Sequence, residues 1–231
     1  MTKLLNLFVG FDQKESIAYH AFAQSIIENS SIPLSITPLA ENNLSIYEEK
    51  HKDGTNKFTY SRFLVPYLMN YQGWAIFADG DMICLDDIKN LHDLIDNKYA
   101  VQLVKHNYKT KHEKKYFGQK NENYPRKNWS SLIIWNCSHR KHKLLTPDFI
   151  SSKDGSYLHR FKWLHDEEIG EIDKKWNWLA IEYPRKDNLK LIHYTLGTPC
   201  FKEYEKTSLS EHWHNSFKNL LDGLYKKNKY L

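Results

Sequence analysis

Apolar and polar positions alternate in blocks over the first forty residues. Leu4 to Gly10 is a short apolar run that stops at Gly10-Phe11-Asp12, and from Ser16 to Asn29 the apolar residues Ile17, Phe22, Ile26 and Ile27 fall at helical spacing. Ile32 to Leu39, bracketed by Pro33 and Pro38, reads as a second strand. Strand, helix, strand implies a parallel pair and hence an α/β sheet, whose ligands bind beyond the carboxyl ends of the strands.

Residues 41–57 are polar and predict a mobile loop, and 58–71 predict a helix that Pro66 must kink or restart. Trp74-Ala75-Ile76-Phe77-Ala78 is a buried central strand; a helix over 87–95 and a strand over 100–105 follow. Residues 105–126 are basic and aperiodic, mixing Lys and His with Tyr108, Tyr116, Phe117 and Tyr124. They read either as a loop over the site or as a solvated insertion. A buried strand at 132–135, helices near 144–150 and 157–164, extended segments at 176–183 and 189–194, and an amphipathic helix at 212–226 complete the reading. No repeat is visible, and 231 residues suit one domain.

The central strand ends in Asp79-Gly80-Asp81. Residues two apart in an extended chain point the same way, so both carboxylates can reach one ion, and Gly80 leaves room for backbone or ligand between them. Two hard oxygens suit Mg²⁺ or Mn²⁺, although a solvated turn at a strand end has the same sequence. Arg62, with apolar flanks, is either a snorkelling surface residue or a cation aimed at a phosphate. His193 closes a late strand before a Gly/Pro turn; it is either a hydrogen-bonded structural residue or a third ligand that tilts the preference toward Mn²⁺.

Composition adds three constraints. Aromatics make up 14% of the chain, with seven Trp and fifteen Tyr, more than core filling asks for, which points to a lined ligand cleft. A formal net charge of +5 favours an anionic ligand or membrane surface without demanding nucleic acid. Cys84, Cys137 and Cys200 lack pairing or zinc spacing and read as reduced thiols, so a cytoplasmic, membrane-peripheral protein is expected. The segment 4–11 with Ala21-Phe22-Ala23 imitates a signal peptide, but Asp12, Lys14 and Glu15 interrupt it.

In order along the chain, a strand ending in Asp12, Tyr60-Ser61-Arg62-Phe63, Ile76-Phe77-Ala78-Asp79-Gly80-Asp81-Met82 and His193-Tyr194-Thr195-Leu196-Gly197 resemble glycosyltransferase family eight, whose members include glycogenin and bacterial lipo-oligosaccharide galactosyltransferases. More narrowly, 124–131 and 157–179 are similar to short bacterial and phage glycosyltransferase-like sequences. The resemblance implies a GT-A fold, a Rossmann-like mixed sheet, with nucleotide-sugar binding in about 1–105 and the acceptor part in about 106–231. It implies Asp79, Asp81 and His193 as ligands of Mn²⁺ or Mg²⁺ on the diphosphate of a UDP-hexose, UDP-glucose or UDP-galactose. Asp12 matches the nucleotide-base contact, with Phe11, Tyr60, Gly80 and Gly197 in the surrounding motifs, and Arg62 matches a cation near the diphosphate.

Asp166 with Glu167 matches an Asp-Gln pair near the sugar, where a carboxylate serves as nucleophile or, the reading preferred here, stabilises the sugar cation. The family lysine after the late glycine is missing, with Thr198 near its place, which shifts diphosphate neutralisation to Arg126 or Lys127. Trp129-Ser130-Ser131 stands where the family has Asn-Ala-Gly. The implied reaction is hexose transfer with retention to an acceptor hydroxyl, on a lipid-linked or other glycan, a bacterial surface glycan by resemblance. His212, Trp213 and His214 read as acceptor contacts or a packed helix start. Two rivals remain at this point: a haloacid dehalogenase-like phosphatase with Asp79 as nucleophile, and a basic RNA- or lipid-binding module on 105–126.

Overall fold

The computed structural model describes residues 4–54 and 56–226, with side chains described as far as 222. In chain order its elements are β1 (Leu5–Gly10), α1 (Ser16–Glu28), β2 (Leu34–Leu39), α2 (Val65–Leu68), β3 (Trp74–Ala78), β4 (Met82–Cys84), α3 (Ile88–His92) and β5 (Val101–Leu103). Then come the hairpin strands β6 (Lys114–Lys115) and β7 (Gln119–Lys120), β8 (Leu132–Asn136), α4 (Pro147–Ser152), α5 (Gly155–His159), β9 (Ile169–Glu171), β10 (Trp178–Leu179), β11 (Leu191–His193) and α6 (Ser210–Lys226).

The large sheet has the order β2-β1-β3-β8-β5-β9, with β8 antiparallel to both neighbours and every other pair parallel. Alternation explains why it is buried on both faces. Phe8, Ala75, Phe77, Ile133 and Trp135 point into one core with Phe58, Phe63 and Phe161. Their neighbours Leu7, Val9, Ile76, Ala78, Leu132 and Ile134 point into the other, against Phe22 and Ile26 of α1. A smaller sheet, β10-β11-β4, packs through Ile83, Trp178 and Ile192 against Ala21 of α1 and Trp213 of α6.

The mixed sheet agrees with the sequence reading, and several elements differ in detail. The helix expected over 58–71 is a 3-10 turn, Ser61–Leu64, followed by α2 with Pro66 in its first turn. It stops because Asn70 and Tyr71 adopt left-handed φ of 51° and 53°, Tyr71 N–H closing onto the Pro66 carbonyl at 2.7 Å. The segment expected to be extended from 176 begins inside a 3-10 turn, Lys174–Asn177, capped by Asp173. The stretch 41–57, in which Thr55 lies outside the described residues, is irregular but anchored: Leu44 and Tyr47 are buried and His51 stacks on Tyr60 at 3.5 Å. No helix among the described residues is long and apolar enough to cross a membrane.

Candidate active site

β3 and β4 are consecutive in the chain but belong to different sheets, and Asp79-Gly80-Asp81 is the crossing between them. Asp79 leaves the large sheet with its N–H donating to Ser131 O at 2.8 Å, while the Asp81 carbonyl accepts from Tyr194 N–H at 2.9 Å in the small sheet. A Cβ on Gly80 would lie 2.4 Å from the Gly10 carbonyl, so the space left by this glycine is filled by the backbone at the end of β1. β11 pairs antiparallel with β4, His193 opposite Met82, and this register carries an imidazole from late in the chain to the acidic pair.

His193 Nε2 lies 3.2 Å from Asp81 Oδ1 and 3.8 Å from Asp79 Oδ2, and one ligand atom from each of the three residues falls within 4.8 Å of the others. Asp81 Oδ1 is buried without a well-aligned hydrogen-bond donor. Such an acceptor is costly in a metal-free protein and expected beside a cation. Two carboxylates and an imidazole whose atoms converge this closely fit one Mn²⁺ or Mg²⁺ ion.

Arg62 is a buried residue, not a snorkelling one. Its Nη1 sits 2.8 Å from Asp79 Oδ1, a charge contact whose angle does not make a hydrogen bond, and donates to Ser130 O at 2.8 Å. Nε donates to Thr59 O at 3.0 Å, and the guanidinium lies 5.0 Å from the Phe77 ring centre. Burial pushes the Asp79 carboxyl up to about 6, with Asp81 adding to the rise and Arg62 and His193 opposing it.

Three groups near the triad were not singled out from sequence. Glu15 is buried, with Oε2 unpartnered; burial first, then Asp81, raise it to about 8, although the Tyr116 hydroxyl hydrogen-bonds it. Lys115, on β6, feels opposed effects: burial lowers its pKa while Asp81, Asp79 and Glu15 raise it. Asn177 sits beside His193, its Oδ1 2.9 Å from Nδ1. The 114–120 hairpin therefore lies over the acidic group, its Tyr116 N–H tied to Leu196 O at 2.7 Å and its ring stacked on Phe201. The basic residues within 105–126 gave a signal for this; Glu15, one turn past Asp12, gave a weaker one.

The other expected site residues divide. Asp12 is buried at the end of β1, with Oδ1 and Oδ2 accepting from the Lys14 and Lys57 amides at 2.9 and 3.1 Å. Phe11 packs edge-on to Tyr19, and Gly197 makes room for the Tyr204 ring, which a Cβ would meet at 2.4 Å. Tyr60 is turned into the core, its hydroxyl donating to Asp53 at 2.5 Å. Lys127 Nζ closes its own loop on Asn121 Oδ1 and the Glu122 carbonyl, at 2.6 and 2.7 Å.

Arg126 donates to Arg160 O at 2.6 Å and is ion-paired with Asp166. Both cations are thus occupied by partners of their own, while Lys127 also feels the charge of Lys115. Asp166 and Glu167 precede β9, whose Ile169 pairs with Val101 of β5. Both carboxylates are exposed. Of the two readings of residues 212–214, the packed helix start holds for Trp213, which is buried against the small sheet.

Residues 4–141 match the model of Glycosyl transferase family 8. Protein CDI of Arabidopsis thaliana is 42% identical over 222 residues, covering 92% of this chain and 86% of that protein. This plant relative does not bear out the narrower likeness to bacterial and phage sequences. Among solved structures, the apo form of the bifunctional glycosyltransferase WbbM superposes with a TM-score of 0.68 at 15% identity, over 95% of this chain and 50% of that one. Apo GlyE of Streptococcus pneumoniae TIGR4 gives 0.61 at 11%, over 98% and 64%. The galactosyltransferase LgtC, in complex with donor and acceptor sugar analogs, gives 0.53 at 9%, over 93% and 96%. The chain thus spans half of WbbM and under two thirds of GlyE. With the fold, the matched residues and the plant relative in agreement, the chain belongs to glycosyl transferase family 8 and is a glycosyltransferase of the GT-A fold.

Proposed function

We propose that this chain transfers a hexose from a UDP-sugar to an acceptor hydroxyl, with a divalent ion, Mn²⁺ or Mg²⁺, held by Asp79, Asp81 and His193. The observation that carries the reading is the convergence of a buried and a half-buried carboxylate and a buried imidazole at the carboxyl end of β3, in a chain of this family. Crystals of LgtC with donor and acceptor sugar analogs support a sugar donor and acceptor by kinship.

When bound, the ion supplies positive charge where the departing pyrophosphate becomes more negative, an interaction stronger in the transition state than in the ground state. The remaining work falls to the protein. Arg62 keeps Asp79 ionised and oriented despite its burial, so the carboxylate faces the ligand and not a proton. Lys115 brings a second cation over the same corner from the hairpin, and with Arg62 it takes the place proposed from sequence for Arg126 and Lys127. Asp12 has lone pairs left beyond its two amide contacts for a base N–H, with Phe11 beside it as an apolar wall.

Asp166 and Glu167 are exposed, which favours the reading in which neither forms a covalent intermediate. Retention therefore goes by acceptor attack on the face the leaving group departs from, the acceptor proton passing to the pyrophosphate oxygen. Family membership disfavours the phosphatase reading, and a buried acidic corner has no use in a nucleic-acid binder.

The test is incubation with UDP-glucose and UDP-galactose, with and without chelator, following UDP release and the anomeric configuration of any product. Metal-dependent release with an α-linked product supports the proposal. Release of phosphate from simple phosphoesters, or turnover unaffected by chelator, contradicts it.

A further inference from the structure

A chain of hydrogen bonds runs inward from His193, and each link fixes the next. Ser131 Oγ lies 2.7 Å from the Asn128 carbonyl. A carbonyl only accepts, so the single hydroxyl hydrogen is committed there. Ser131 Oγ can then only accept from Asn177, 2.8 Å away, so the atom facing it is the amide nitrogen Nδ2. That orientation turns Asn177 Oδ1 to His193 Nδ1, at 2.9 Å. An amide oxygen also only accepts, so Nδ1 must carry the proton. In the neutral ring Nε2 is bare, and it is this nitrogen that faces Asp81 Oδ1 at 3.2 Å and Asp79 Oδ2 at 3.8 Å.

We propose that Ser131 and Asn177 are positioning residues that lock His193 in the Nδ1–H tautomer, so that the fold presents Nε2 as a ready-made metal donor. All the members are buried or nearly so: Ser131 is 2% exposed, Asn177 0% and His193 2%. Water has little access to scramble the order, and the ultimate reference is a backbone carbonyl, which cannot reverse. The relay also joins the two sheets, since Ser131 precedes β8 of the large sheet while Asn177 and His193 flank and lie in the small one. Ser131 additionally receives the Asp79 amide on its carbonyl, so one residue indexes both a carboxylate and the imidazole. Outer partners of this kind typically change metal affinity 10–100-fold.

The inference rests on the metal-binding reading above, and two readouts separate their failures. Mn²⁺ titration of the wild-type protein tests that reading: absence of binding removes it. Long-range proton–nitrogen NMR of the histidine-labelled, metal-free protein, at a pH where the ring is neutral, tests the relay without any variant. His193, assigned by loss of its signal in His193→Gln, is expected to show a protonated Nδ1 and a bare Nε2; the reverse tautomer overturns the relay even if Mn²⁺ binds. Ser131→Ala, which frees the amide to turn over, is expected to weaken Mn²⁺ binding about tenfold or more and to shift the ring toward Nε2–H. Asn177→Asp keeps an acceptor against Nδ1 and is expected to bind Mn²⁺ at least as tightly as wild type, whereas Asn177→Leu loses affinity. Unchanged affinity and tautomer in Ser131→Ala, or equal losses in Asn177→Asp and Asn177→Leu, would overturn the assignment.

Discussion

Asp79 and Arg62 show how one buried pair serves both fold and site. The carboxylate is buried and raised to about 6, and the guanidinium 2.8 Å away is what keeps it from rising further. Removing the cation leaves an uncompensated charge, so Arg62→Met is expected to cost about 3 kcal/mol or more in chemical denaturation at neutral pH. The sign of its pH dependence follows: once Asp79 is protonated the counterion is not needed, so the penalty shrinks as pH falls toward about 6, through the higher pKa the carboxyl takes once its counterion is gone. A penalty that is constant from pH 5 to pH 8 would mean that Arg62 acts through packing on Phe58 and Phe77. Asp81→Asn, by contrast, removes a buried acceptor that nothing satisfies, and is expected to keep the melting temperature while abolishing transfer. A collapsed melting transition would assign the residue to the fold.

At the level of elements, the run Trp74–Ala78 and the β-α-β start were legible because a strand buried on both faces leaves an uninterrupted apolar run and α1 a regular stripe. The triad was legible through resemblance; the register that assembles it was not. β4 and β10 are three and two residues long, too short to leave a period, and the pairing of β4 with β11 is a long-range fact. The roles of Arg126 and Lys127 were hidden for a similar reason: side-chain partners such as Asp166 and Asn121 are chosen by tertiary proximity. One prediction sets the hairpin against Arg126. Lys115→Ala is expected to weaken UDP binding about tenfold, ~1.4 kcal/mol, while Arg126→Ala leaves it unchanged. The opposite ranking in a calorimetric titration would return the diphosphate to Arg126.

Across the whole molecule, the acidic corner should be readable as a stability cost in the absence of metal. Glu15 is raised from 4.5 to about 8, so the folded state binds more protons than the unfolded chain between those values. The Glu15 contribution to the unfolding free energy then falls as pH rises through that window, by roughly 1–2 kcal/mol between pH 6.5 and 8. The buried His106, His142 and His159, lowered to about 3, about 4 and about 3, and Lys127, lowered to about 8, act with the opposite sign and reach into this interval, so the difference between wild type and Glu15→Gln isolates the Glu15 part. Glu15→Gln is expected to remove that part of the slope above pH 6.5 in urea denaturation, and an unchanged slope would place its origin elsewhere. All of this turns on a cation at Asp79, Asp81 and His193 that recruits a nucleoside diphosphate. The most direct measurement is calorimetric titration of UDP into the metal-free protein, with and without Mn²⁺, alongside Asp81→Asn. Binding that appears only with Mn²⁺ and vanishes in the variant is the predicted result; UDP binding of equal strength without metal, or undiminished in Asp81→Asn, would contradict it.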